Sequence, residues 1–245
     1  MHHFFVDETQ ITEESIRIEG PDVHHIRDVL RMKPGGELEI GDGKGEEYMC
    51  RIRAFGAEEI ELEILYHQRS GAELASSIYL FQGLPKGDKL DFIIQKAVEL
   101  GATGIVPVEM KRSVVRIDKK KAEKKCKRWN DIAASAAGQS KRGIIPQVEP
   151  ALSFQEALRL SEKADVILVP YEGAENMQES RDVIGAIKPG MSVAVWIGPE
   201  GGFDKNEVAA LLEKGGKVIT LGKRILRTET AGLAVLSILM YHLEE

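Results

Sequence analysis

From Met1 to about Tyr66 apolar positions come in short strand-like bursts: Phe4-Phe5-Val6, Ser15-Ile16-Arg17-Ile18, Glu37-Leu38-Glu39-Ile40, Tyr48 to Ile52 and Ile60 to Ile64. Alternation with a period of two places successive side chains on opposite faces, so these bursts predict half-buried β-strands. Lys33-Pro34-Gly35-Gly36 and Gly41-Asp42-Gly43-Lys44-Gly45 supply turns. Pro21 to Leu30 breaks the pattern, with Val23, Ile26, Val29 and Leu30 at helical spacing. Several short strands at close spacing around one short helix predict a small barrel.

After the polar stretch Gln68-Arg69-Ser70-Gly71-Ala72-Glu73 the pattern changes to strands alternating with helices. The domain boundary is placed there, giving 1–70 and 71–245. Strands are predicted at Ile78 to Phe81, Gly104 to Val108, Val166 to Pro170, Val193 to Ile197 and Val218 to Thr220. Helices are predicted at Asp88 to Leu100, from Asp118 as cap to about Ala137, from Ser153 as cap to Leu160, at Met177 to Ile187, at Asp204 to Lys214, and from Thr228 to His242. Such alternation implies an α/β domain with a parallel sheet covered on both faces. The last helix is apolar nearly all round, through Leu233, Val235, Leu236, Ile238, Leu239, Met240 and Tyr241. It is expected to be buried on more than one side, in a core or a subunit interface, which favours a homodimer.

Two glycine-rich turns follow strands: Gly198-Pro199-Glu200-Gly201-Gly202-Phe203, and Leu221-Gly222 leading through Lys223-Arg224-Ile225-Leu226-Arg227 to Thr228-Glu229. Turns after neighbouring parallel strands present backbone N–H and C=O groups on one sheet edge, where open α/β folds bind ligands. Neither turn is a Walker loop or a dinucleotide fingerprint. Spacing alone fits tight strand-to-helix turns as well as a ligand site. The polar residues Arg227, Thr228 and Glu229 favour a site, because a helix start needs only one cap.

Composition narrows the partners. With 43% hydrophobic residues in 245, the chain has enough apolar content for ordinary globular domains. No apolar run is long enough to span a membrane, and no signal-type segment is recognised, so a cytoplasmic protein is expected. Cys50 and Cys126 lack ligand spacing and predict neither zinc nor a disulfide; the lysines around Cys126 favour a lower pKa, against which stands the better-supported reading of an incidental thiol. Formal net charge is −6, yet between Lys111 and Gly143 twelve Lys or Arg face three acids. A local basic field of this kind binds polyanions even on an acidic chain. The run Lys119 to Lys127 taken alone reads as a solvated helix face. The loop Gly138-Gln139-Ser140-Lys141-Arg142-Gly143 is equipped to hold phosphate, and Arg27 with Arg31, one helical turn apart, forms either a phosphate contact or a solvated face.

Together these residues resemble the bacterial small-subunit ribosomal RNA uridine-N3 methyltransferase family, within the SPOUT superfamily. The resemblance rests on Phe4-Phe5-Val6, His25 to Arg31 with Gly35, Lys86-Gly87-Asp88-Lys89, Lys96 to Gly101, Gln139-Ser140 and the two C-terminal turns, and it covers nearly the whole chain. It implies an N-terminal PUA-like RNA-binding barrel, a SPOUT methyltransferase domain with a C-terminal trefoil knot, and a homodimer acting on 16S rRNA or the small ribosomal subunit. S-adenosylmethionine would lie against Leu168-Val169-Pro170, Gly198-Pro199-Glu200-Gly201, and Leu221-Gly222 through Ile225, Leu226, Arg227 and Thr228. Ser135 and Gly138 stand where the family usually has acidic residues, so no acid role is expected there.

Transfer to uridine N3 needs loss of the N3 proton and stabilisation of the resulting anion. Arg227 is the candidate stabiliser. Glu229, or else Glu200, is a candidate base or a partner that orients Arg227, while Glu229 equally suits the positive end of the last helix. Arg112, Arg116, Lys141 and Arg142 are expected to hold phosphates, with Arg27 and Arg31 extending the track. Two other classes compete: a non-catalytic RNA-binding scaffold of the same fold, and a nucleotide-binding oxidoreductase, which the missing fingerprint disfavours.

Overall fold

The computed structural model describes residues 2–117 and 119–244, with the side chain of Lys119 left out. The expected cap at Asp118 therefore lies outside the described residues. The chain divides into two compact units, Met1–Glu73 with Ala137–Ile145, and Leu74–Ala136 with Pro146–Glu245. Residues 137–145, which the sequence pattern assigned to the second domain, thus group with the first.

The first unit is a five-stranded sheet of β1 (His3–Phe5), β2 (Ser15–Glu19), β3 (Glu37–Gly41), β4 (Glu46–Phe55) and β5 (Glu59–Arg69). Their order is β1-β3-β4-β5-β2, with β1 parallel to β3 and the other pairs antiparallel. Ile16, Ile18, Leu38, Ile40, Ile52, Ile60 and Leu62 point inward and are essentially fully buried, as their alternation requires. Register shifts between Met49 and Cys50 and between Ile52 and Ala54 mark bulges, which bend a strand. No pairing of β1 with β2 joins the edges among the described residues, so the barrel expected from the sequence is a half-barrel.

The short helix of this unit is α1 (Pro21–His24), started by Pro21 and continued by a π-turn over His25–Val29 that buries Val23 and Ile26. The wider turn changes the azimuth of the residues beyond it, and Arg31 takes a left-handed backbone with φ 54°. Arg27 and Arg31 accordingly do not sit one α-turn apart on a common face. The 137–145 segment is stitched to the β3–β4 turn by Gly45 N–H to Gly143 O (3.1 Å) and Ile145 N–H to Gly43 O (3.0 Å).

The second unit holds β6 (Ser77–Gly83), α2 (Lys89–Glu99), β7 (Gly104–Glu109), α3 (Lys119–Gln139), β8 (Gln147–Val148), β9 (Leu152–Ser153), α4 (Phe154–Ser161), β10 (Val166–Pro170), α5 (Met177–Gly185), β11 (Ser192–Ile197), α6 (Lys205–Glu213), β12 (Lys217–Ile219) and α7 (Thr228–Leu243). The last turn of α3 is counted with the first unit. All strand pairs are parallel, in the order β12-β10-β11-β6-β7-β8, with β9 also beside β7. Ser153 and Asp204 open α4 and α6 with reciprocal capping boxes. Trp196 of β11 is fully buried, stacked 4.9 Å from Phe81 of β6 with Phe154 tilted against it. Val235, Leu236 and Leu239 bury one face of α7, whereas Ile238 (41% exposed) and Tyr241 (86%) stay uncovered.

The strand order corrects one expectation. β11 and β12, which precede the two glycine-rich turns, are not neighbours, because β10 lies between them. The segment after β10 therefore stands between the two turns.

Candidate active site

Three strand ends converge on one cavity of about 990 Å³. From β10 come Pro170, Tyr171 and Glu172; from β11, Gly198 to Phe203; from β12, Thr220 to Thr228. Of the residues expected at a cofactor, Pro170, Gly198, Pro199, Glu200, Gly201, Leu221, Gly222, Ile225, Leu226, Arg227 and Thr228 all line it. Leu168 and Val169 do not: both are fully buried in β10, inside the sheet, where only the strand's end reaches the edge. Sequence reasoning missed Tyr171, Glu172, Met177 and Lys89, which also line the cavity. The signal for the first two was Pro170 itself, which ends a parallel strand and hands its next residues to the ligand-binding edge.

The turn after β11 is closed by the Gly202 N–H on the Pro199 carbonyl at 2.8 Å. It lies so close to β6 that a Cβ on Gly83 would come 2.6 Å from Pro199 N and 2.7 Å from its Cδ. Only glycine lets those two backbones approach. On the other side Arg112 donates to the Gly201 carbonyl at 3.0 Å, and a Cβ on Gly201 would meet Arg112 Cβ at 3.0 Å. Lys111 braces the same loop, its N–H donating to Glu207 and its ammonium 3.0 Å from Asp204.

Thr228 joins the two turns. Its hydroxyl donates to the Gly198 carbonyl at 2.6 Å and lies 2.8 Å from Gln82 Nε2. A carbonyl cannot donate, so the single hydroxyl proton is committed to Gly198 and Thr228 can only accept from Gln82. That fixes the Gln82 amide, whose Nε2 also donates to Gly83 O at 3.0 Å while its buried Oε1 has no partner among the described residues. The cap position of α7 is Arg227, which makes no side-chain capping bond. Of the polar residues at this helix start, Thr228 therefore serves the junction of the turns, and Arg227 gives no side-chain cap.

Arg227 is exposed on the cavity wall, with no ion pair among the described residues. Glu229 does not line the cavity; its carboxylate lies 3.5 Å from the ammonium of Lys89, which does. Lys89 also donates to Glu200 at 3.0 Å, and hydrogen bonding to Glu200 holds the lysine above its ordinary pKa. Desolvation pushes the Glu200 carboxyl up, but the Lys86 N–H and the Lys89 ammonium outweigh it and leave the pKa lowered. A carboxylate held this way is a weak base at neutral pH.

The candidate phosphate contacts are divided. In the first unit Arg142 is buried and forked onto Glu73, with Nη2 to Oε2 at 2.5 Å, so it is a structural ion pair and not a surface contact. Arg27 folds onto the β4–β5 turn, donating to Gly56 O and Ala57 O. Arg31 and Lys141 are exposed, each with a left-handed backbone. In the second unit Arg112 holds Gly201 and Arg116 pairs with Glu109 at 3.5 Å. Burial raises both cysteine pKa values, Cys50 to about 12, against the lowering expected for Cys126 from its lysines. Among the described residues no cluster of His, Cys, Asp or Glu is placed to hold a metal ion, and no helix is long and apolar enough to cross a membrane.

Comparison with known families assigns the class. A family model described as an RNA methyltransferase domain matches residues 72–240, and one described as an RNA methyltransferase PUA domain matches 18–65. The parallel sheet with its edge cavity is thus an RNA methyltransferase domain, and the half-barrel is the PUA-like one. The chain belongs to the ribosomal RNA small subunit methyltransferase E family. It is 38% identical to that enzyme of Bacillus subtilis, over 100% of this chain and 98% of the relative. It is 31% identical to the one of Mycobacterium bovis, over 95% and 88%. A crystal structure of the Neisseria gonorrhoeae ribosomal RNA small subunit methyltransferase E bound to S-adenosyl methionine superposes with a TM-score of 0.82 at 34% identity, covering 97% of this chain and 95% of that one.

Proposed function

We propose that the cavity binds S-adenosylmethionine and that the protein methylates N3 of a uridine in the 16S rRNA of the small ribosomal subunit. The observation that carries this is the convergence of both glycine-rich turns and the post-β10 segment on one cavity, in a chain of this family. The donor set fits the cofactor. About 990 Å³ is ample for a nucleoside, the walls offer backbone groups that read adenine edges, and Ile225 and Leu226 supply apolar surface for its faces. Ile225, 84% exposed on the cavity wall, is apolar surface open to a ligand. Bound there, S-adenosylmethionine supplies an electrophilic methyl group on a sulfonium.

Arg227, charged and exposed on the wall, stabilises the uridine anion at a base carbonyl oxygen once solvent water has taken the N3 proton. Glu229 acts at one remove, anchoring Lys89, which in turn holds Glu200 and the first turn in place. Neither carboxylate is proposed as the base. The target base leaves its stack to reach the cavity, and Arg31, Lys141 and Arg116 remain candidates for phosphates.

The protein acts in the cytoplasm as a homodimer. Ile238 and Tyr241 on α7, and Phe92 (46% exposed) on α2 packed beside it, form the apolar surface a second subunit would cover. The C-terminal trefoil knot belongs to the same proposal. It is supported by α7 starting beyond edge strand β12 and returning beneath β11 and β6, where Gly232 sits near Ile197 and Leu80.

The test is calorimetric titration with S-adenosylmethionine, followed by transfer of labelled methyl groups to purified small subunits. Arg227→Ala is expected to keep cofactor binding within a few-fold and to lose transfer by at least about a hundredfold. Absence of cofactor binding, with or without RNA, would remove the methyltransferase proposal and leave an RNA-binding scaffold.

A further inference from the structure

A second cavity, of about 580 Å³, lies in the second unit between α3 and the segment leading into α2. One wall is cationic: Lys121, Lys124, Lys125, Lys127 and Arg128 line it from α3. Arg128 is neutralised by Asp91 (2.5 Å) and Lys127 pairs with Asp131 (3.5 Å). Lys121, Lys124 and Lys125 line the groove with no ion pair among the described residues, while Asp88, also in the lining, acts on Arg128. Val115 and Ile117, both half-buried, add apolar surface to its lining. A run of lysines that the sequence alone presents as a solvated face is thus one wall of a groove.

The groove also adjoins the candidate active site. The segment Leu84 to Asp91 is a shared partition: Lys89 lines the first cavity, while Asp88, Leu90 and Asp91 line the second. We infer that the α3 groove is a second RNA site, binding a single-stranded stretch of substrate RNA that flanks the target nucleotide. Its phosphates meet Lys121, Lys124 and Lys125, and a nucleoside rests on Val115 and Ile117. The occupant is argued from charge complementarity, since three lysines with no ion pair among the described residues, on a chain of net charge −6, draw a polyanion to this face, and from continuity with the methyl-transfer cavity. The inference rests on the proposed function for the direction of the strand, not for the groove itself.

The experiment measures binding of a short, dye-labelled single-stranded RNA to the full chain by fluorescence anisotropy across a salt series. Wild type is compared with the Lys121→Ala/Lys124→Ala/Lys125→Ala variant and the matching Lys→Arg variant. Removing three phosphate contacts is expected to weaken binding on the order of tenfold to a hundredfold and to flatten the log Kd against log salt slope by about 2. The arginine variant should bind like wild type, and calorimetric affinity for S-adenosylmethionine should be the same in all three. An alanine variant with wild-type RNA affinity and slope would overturn the inference, even if methyl transfer is intact. Poly-aspartate competing as well as RNA of equal charge would also overturn it, in favour of an acidic-peptide groove. If the wild type transfers no methyl group yet the alanine variant loses RNA affinity, the groove stands and the proposed function falls.

Discussion

Thr228→Val probes the junction between the turns. Valine keeps the shape of threonine and removes only the hydroxyl, at a residue 6% exposed. Two groups lose a partner: the Gly198 carbonyl, half-buried at the cavity and now bonded at 2.6 Å, and one hydrogen of the buried Gln82 Nε2, bonded at 2.8 Å. An unsatisfied buried group costs about 1–3 kcal/mol; Nε2 keeps its bond to Gly83 and water can reach the half-buried carbonyl, so the two together cost about 2–4 kcal/mol. Extra apolar burial returns roughly 1 kcal/mol. A net destabilisation of about 1–3 kcal/mol is expected in urea unfolding. Because Gly198 lines the cavity, S-adenosylmethionine affinity should fall on the order of tenfold for each ~1.4 kcal/mol that reaches the site. Thr228→Ser keeps the hydroxyl and should hold cofactor affinity within a few-fold. The double variant Gln82→Leu/Thr228→Val should cost less than the sum of its parts, because a leucine in place of the glutamine leaves no amide to satisfy. If Thr228→Val binds cofactor like wild type, or Thr228→Ser is as damaging, the hydroxyl does not couple the turns.

Gly83→Ala places a Cβ 2.6 Å from Pro199 N, so the turn must move; a stability loss of about 1–3 kcal/mol with weaker cofactor binding is expected, read by thermal unfolding and calorimetry. Arg142→Ala strands a Glu73 carboxylate whose side chain is 17% exposed, and should destabilise the N-terminal unit by about 3–5 kcal/mol while affinity for S-adenosylmethionine is unchanged below its transition. The pKa of Glu200 is lowered from its ordinary 4.5. Its contribution to stability is therefore complete above that value and is lost as pH falls through the folded-state pKa. Urea midpoints measured down an acid series should decline less steeply for Glu200→Gln than for wild type; parallel declines would show that Lys86 and Lys89 do not hold the carboxylate.

Strands and helices were legible because each is written in a local period. Ile16 and Ile18, or Leu38 and Ile40, declare an inward face within five residues, and the box Asp204 with Glu207 declares a helix start within four. The two C-terminal turns were legible as well, since glycine runs after apolar strands admit few other conformations. Eleven of the thirteen expected cofactor residues line the cavity for that reason. Leu168 and Val169 lie deeper in the sheet than the cavity wall because a residue's depth depends on where the strand stops, and only Pro170 carried that information.

What tertiary structure alone decided is pairing across long stretches of chain. Nothing local tells Glu229 that its partner is Lys89, Arg142 that its partner is Glu73, or Gln82 that it meets Thr228, 146 positions away. The insertion of β10 between β11 and β12 belongs to the same kind, because strand order is set by which apolar faces the whole sheet can bury at once. Periodicity is fixed by bonds between near neighbours, so the sequence determined the elements and the turns that carry the site. Charge and hydrogen-bond partners are fixed by where those elements pack, so the fold determined which charged residues remain free to act and which are consumed in holding it together.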